Sequence, residues 1–112
     1  FFQAEDGIRY CLLSRGLGDV YKRQTAAWNL YQATTRLAEI LACELLVACE
    51  ALELNDTKPS PFVEALYNRV RSVVEPLDGD RSTSGDLQLI VNQLLDSSWL
   101  ARIEAENGRL PR

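Results

Sequence analysis

The chain has 112 residues, 46% of them apolar and 25% charged, and a formal net charge of −4, which allows one domain with a modest core of its own. An acidic chain with no Lys/Arg cluster does not fit a nucleic-acid binder, because phosphate recognition needs a basic stripe. The sequence also lacks histidine, which removes the commonest general base, the usual imidazole metal ligand and every Ser-His or Cys-His arrangement.

Methionine is absent too, even at position 1, so a chain opening Phe1-Phe2 is expected to begin inside its gene. Residues 1–24, FFQAEDGIRYCLLSRGLGDVYKRQ, show neither a period of two nor one of 3.6, and Gly7, Gly16 and Gly18 interrupt any regular element. They carry four basic and three acidic residues against eight and thirteen in the remainder, a shift in composition at Gln24/Thr25. This string resembles translated sequencing-adapter sequence and is expected to be a non-native, disordered or irregular segment; the alternative is a genuine N-terminal arm. Its GLGD lacks the following Lys-Ser/Thr of a phosphate loop.

From Thr25 the periodicity is helical. Trp28, Tyr31, Leu37, Leu41, Leu45, Ala48 and Leu52 recur at steps near three and four, with Thr25 available as N-cap and Asn55-Asp56 as the stop. This predicts one helix of about eight turns. Its stretch LAEILACELLVACEALEL, Leu37 to Leu54, is apolar around most of its circumference, a pattern of helices lying deep in a larger protein or in a membrane. A spanning helix needs about 20 predominantly apolar residues, and Glu39, Glu44, Glu50 and Glu53 exclude that. With no secretion-signal layout at the N-terminus, the expected compartment is the cytoplasm. Arg36, Glu39, Glu50 and Glu53 share one stripe, whereas Glu44 lies about 140° around from Glu39. Glu44 is therefore expected to be buried, either as a tuned acid or base or, in the plainer reading, in an internal ion pair or hydrogen bond that fixes the packing of neighbouring helices, its partner within this segment or outside it.

The three cysteines, Cys11, Cys43 and Cys49, match no zinc or CxxC spacing. Cys43 and Cys49 fall on different faces of the long helix and are read as small buried apolar residues in a reduced setting. Ser60-Pro61 starts a second helix, with Phe62, Leu66, Val70 and Val73 or Val74 facing inward and Pro76 as its terminator. After the loop PLDGDRSTSG a third pattern, Leu87, Ile90, Val91, Leu94 and Leu95, either continues or breaks near Ser97-Ser98 before Trp99, Leu100 and Ile103. Gly108 and Pro111 close it. The fold class is all-α, a long central helix plus two or three shorter ones, with no strand alternation of useful length.

Residues 25–112 resemble the C-terminal part of the histidine and aromatic amino-acid ammonia-lyase family. The resemblance rests on an A-x-E-L-L core (Ala42, Glu44, Leu45, Leu46), an A-x-x-L stretch (Ala51, Leu54), the Pro-led helix PFVEALYNRVRSVV, the pair Asp80-Arg81, Ser84-Gly85-Asp86 and the closing LARIE, in that order. It implies a fragment of a larger helical-bundle enzyme that eliminates ammonia from histidine or an aromatic amino acid, or a related aminomutase. It further implies a homotetramer whose long helices pack between subunits, with amino-acid substrate bound only by the complete enzyme.

The family's electrophile, a methylidene-imidazolone built from Ala-Ser-Gly, is expected in the absent part, for this chain has no Ala-Ser-Gly. Thr83-Ser84-Gly85 stands where a helix start is expected, and Tyr31 and Tyr67 lie in helical patterns rather than in the loop the family base requires. No catalytic, cofactor-binding or metal residue is carried over. The segment is expected to be an inactive scaffold packed through Trp28, Leu37, Leu41, Leu45, Leu52, Phe62, Leu66, Val70, Ile90 and Leu94. The competing reading is a small helical module that buries Leu37 to Leu54 by self-association.

Overall fold

The computed structural model describes residues 17–109, all of whose regular elements are helices. They are α1 (Leu17–Leu54), α2 (Pro61–Arg71), α3 (Ser84–Leu95) and α4 (Ser98–Asn107). The all-α expectation holds. By contacts the chain divides into two units, Phe1–Thr35 and Arg36–Arg112.

The long helix starts eight residues before the predicted N-cap. Residues 17–24 are helical rather than irregular, and residues 1–16 lie outside the described residues. Extending an existing helix adds one hydrogen bond per residue with no new nucleation, and Asp19 in the first turn favours the positive end of the dipole. Thr25 is accordingly no cap: its hydroxyl donates to the Tyr21 carbonyl at 3.0 Å, as Thr34 does to Leu30 at 2.9 Å, the back-bonding open to Thr inside a helix. In the described part of this first unit every side chain from Asp19 to Tyr31 is exposed. Trp28 and Tyr31 stack on each other, with ring centroids 5.8 Å apart.

The second unit holds the core. Ala38, Ala42, Leu46 and Cys49 form one buried stripe of α1 against Val70, Val74, Ile90 and Val91. Leu45, Tyr67, Val73, Leu87 and Leu94 pack around it, while Trp99 and Ile103 are buried from α4, which packs on α2. Of the predicted packing residues, Val70 and Ile90 are buried and Leu45, Leu52, Phe62, Leu66 and Leu94 half-buried. Trp28, Leu37 and Leu41 are instead 60%, 55% and 39% exposed. The inward stripe begins at Ala38, one position after Leu37, and one position rotates a helix by about 100°. Small side chains weigh little in a hydrophobic pattern, so the leucines dominated the periodicity although the alanines face the core.

The same rotation overturns the placement of Glu44. It stands two positions from both Ala42 and Leu46, about 200° around the helix, and is exposed.

Helix α2 ends at Arg71, short of Pro76. Ser72 bonds the Arg69 carbonyl through its hydroxyl at 2.6 Å, and the Val73 and Val74 amides both turn back to Val70, a tightened last turn. The third pattern breaks into α3 and α4 at Asp96, whose Oδ1 accepts from the Ser98 amide at 3.0 Å and the Ser98 hydroxyl at 2.9 Å. Gly108, at φ 89°, closes α4 in a conformation that disfavours any side chain.

Candidate functional site

The densest polar constellation joins α1 to α2. Glu50 and Glu53 lie three apart and so share a face of α1, and Arg71, in the last turn of α2, reaches both. Its Nη2 is 2.8 Å from Glu50 Oε1 and 2.9 Å from Glu53 Oε1. The Tyr67 hydroxyl donates to Glu53 Oε1 at 2.7 Å, the Leu77 amide donates to Glu50 Oε1 at 3.3 Å, and the guanidinium carbon lies 5.6 Å from the Tyr67 ring centroid. The two glutamates were legible as one stripe; Arg71 as their shared cation was not.

Burial works against the Arg71 charge, yet the hydrogen bonds it donates to Glu50 and Tyr67 and the nearby carboxylates hold its pKa above the ordinary value. The same network raises the Tyr67 phenol, chiefly through its bond to Glu53, so this tyrosine keeps its proton and is unsuited to act as a base. Cys49, buried alongside, is pushed up mainly by burial; Arg71 opposes the shift, and Glu50 and Glu53 add to it. Its thiol stays protonated and unreactive at neutral pH. Arg71 Nε and Nη1 are buried and have no hydrogen-bond partner among the described residues. A guanidinium so held, with two carboxylates on one of its nitrogens, clamps two helices; it offers no group poised for proton transfer or nucleophilic attack.

The other singled-out residues do not converge on this cluster. Ser84 opens α3, with its hydroxyl 2.8 Å from that of Ser82, and Thr83 accepts the Leu87 amide through its carbonyl. Tyr31 is an exposed neighbour of Trp28. Both Cys43 and Cys49 are free thiols, but the expected burial holds for Cys49 alone: Cys43 stands one position past the inward Ala42 and is exposed. Among the described residues no group of three His, Cys, Asp or Glu could hold a metal ion, and no helix is long and apolar enough to cross a membrane.

A second feature is apolar. A groove of about 310 Å³ runs between Leu41 and Leu45 of α1, Leu66 of α2, Leu94 of α3 and Leu100 of α4, with Glu44 as its one charged lining residue.

The chain is similar to histidine ammonia-lyases. It is 38% identical over 76 residues to the enzyme of Legionella pneumophila (strain Corby), an overlap covering 67% of this chain and 15% of that protein. It is 33% identical over 87 residues to that of Symbiobacterium thermophilum, covering 77% and 17%, and 36% identical over 72 residues to that of Mus musculus, covering 63% and 11%. The chain thus spans about 15% of the length of the Legionella relative. No family model and no solved structure matches it.

Proposed function

We propose that residues 25–112 are a helical scaffold segment, from the C-terminal part, of an amino-acid ammonia-lyase whose substrate is histidine. The single observation that carries this reading is the 38% identity over 76 residues to a histidine ammonia-lyase; the relatives' names favour histidine over an aromatic amino acid. Residues 1–24 are, on this reading, foreign to the parent. The parent is a cytoplasmic homotetramer assembled in part through α1. Two observations agree with a scaffold role: the polar cluster ties α1 to α2, and Leu37, Ile40 and Val47 of α1 are 55%, 57% and 67% exposed, area that a larger helical protein would cover.

The methylidene-imidazolone of the family does not fit the residues present. The chain has no Ala-Ser-Gly, and Thr83-Ser84-Gly85 is committed to starting α3. No catalytic step is assigned to this chain.

Grafting tests the reading. Residues 25–112 are exchanged for the aligned segment of the Legionella enzyme and urocanate formation from histidine is followed by absorbance. The chimera is expected to turn over histidine and the 112-residue chain alone to release no ammonia; an inactive, well-folded chimera, or turnover by the isolated chain, sinks the proposal. The same exposed face of α1 favours a second reading, a self-associating module. Resequencing the locus across Gln24/Thr25 separates the two: an upstream frame encoding Ala-Ser-Gly supports the lyase, and an in-frame start codon near Thr25 supports the module.

A further inference from the structure

The four carboxylates of α1 in the second unit are not equivalent. Glu39 is paired with Arg36 at 2.8 Å, and Glu50 and Glu53 share Arg71. Glu44 alone among these four has no partner among the described residues, and it stands on the wall of the apolar groove. An unpaired carboxylate on a polar surface is ordinary; this one shares the lining of a groove with Leu41, Leu45, Leu66, Leu94 and Leu100. Leu41 and Leu100 are 39% and 44% exposed there. Contiguous apolar area open to water marks a contact surface.

The shape of the surface indicates what covers it. Leu41, Leu45 and Ala48 follow one another at steps of four and three along α1, the ridge into which the side chains of a second helix interdigitate. A helix laid there would bury the leucines, but it would strand Glu44 in a less polar setting unless it brought a cation, since a buried carboxylate without a partner is costly. We infer that the groove between α1, α2, α3 and α4 seats an apolar α-helix bearing a lysine or arginine that pairs with Glu44, supplied by the remainder of the parent polypeptide. The source of the helix rests on the lyase reading, in which most of the parent lies outside the matched segment; the chemistry of the occupant rests on the groove alone.

The test uses the full 112-residue chain and two fluorescein-labelled synthetic peptides of about 18 residues, long enough to be helical. Both carry leucine at i, i+4 and i+7; one has lysines flanking that stripe, the other glutamates. Anisotropy is expected to show saturable binding of the lysine peptide, about five-fold tighter than the glutamate peptide, the upper range for one exposed ion pair. Glu44→Gln, a change at an exposed site, should erase that preference while apolar binding persists, and Leu41→Asp should weaken both peptides with helicity unchanged by circular dichroism. No saturable binding, equal affinities, or a preference that survives Glu44→Gln overturns the inference. So does a chain that sediments as a dimer dissociated by the peptide, because a second copy is then the occupant. The active chimera should no longer bind the lysine peptide, its own helix holding the groove, and a chimera that binds it overturns the assignment to the parent. Peptide binding by the isolated chain together with an inactive chimera would sink the lyase reading alone.

Discussion

Arg71, the last residue of α2, sets its Nη2 2.8 Å from Oε1 of Glu50 on α1, and with Glu53 at 2.9 Å on the same nitrogen this fastens two helices separated by a loop. Only 9% of the Arg71 side chain is exposed, so the pairing is desolvated and its loss is felt. Arg71→Ala leaves two like charges adjacent and should lower unfolding stability by about 3 kcal/mol, read by urea denaturation. Adding Glu50→Gln relieves part of that repulsion; a double-mutant cycle should show a coupling of about 1 to 2 kcal/mol, and strict additivity would mean that the ion pair is not formed in solution.

The inward stripe of α1 is tested at two sites on that helix. Leu46 is 6% exposed, and Leu46→Ala should cost about 3 kcal/mol through lost contacts and the cavity left behind. Leu37 is 55% exposed, and Leu37→Ala should stay within about 0.5 kcal/mol in the monomeric chain. Equal losses would restore the leucine-facing arrangement that the hydrophobic pattern predicts.

Alkylation separates the two helical thiols. Iodoacetamide should modify exposed Cys43 well before buried Cys49, as followed by peptide mass spectrometry. Because burial raises the Cys49 pKa, the unfolded chain gives up that proton first, at about pH 8.5. The Cys49 contribution to stability is therefore complete below that pH and declines as pH rises toward the folded value. A Cys49→Ala variant should lack this alkaline decline.

Acid acts at the other end of the unit. The Ser98 amide, and then its hydroxyl, hold the Asp96 carboxyl below the ordinary range; burial opposes this, while Arg102 and Arg69 add smaller downward effects. A depressed carboxylate stabilises the fold above its unfolded pKa, about 3.9, and loses that contribution as pH falls through the folded value. The protection of the Ser98 amide, its exchange relative to the intrinsic rate at the same pH, should fall on acidification below about pH 4 in the native chain, and be low at all pH values in Asp96→Ala.

The helical class, the Pro61 start and the Asn55 stop were legible because each depends on local chemistry, such as a proline or a turn residue, whereas the pattern near Ser97-Ser98 fitted a continuous helix as well as a break. The facing of α1 was not legible. Leu37, Leu41 and Leu45 and the stripe through Ala38 and Ala42 have the same period and differ only in phase, and phase is decided by what α2 and α3 bring against the helix. Glu44 was misplaced for that reason alone. Arg71 was hidden differently: 21 residues separate it from Glu50, and no local pattern reports a contact made across two helices and a turn.

Ala42 is wholly enclosed while Val47, on the same helix, meets water over two thirds of its area. A helix that turns Ala38 and Ala42 inward while Leu37, Ile40 and Val47 stay outside leaves the cohesion of the surrounding water acting on those larger side chains. The solubility of this chain should therefore follow the Hofmeister series closely. Sulfate, which strengthens effective burial by its exclusion from protein surface, should bring it out of solution earlier than a protein of equal size and charge whose leucines face inward.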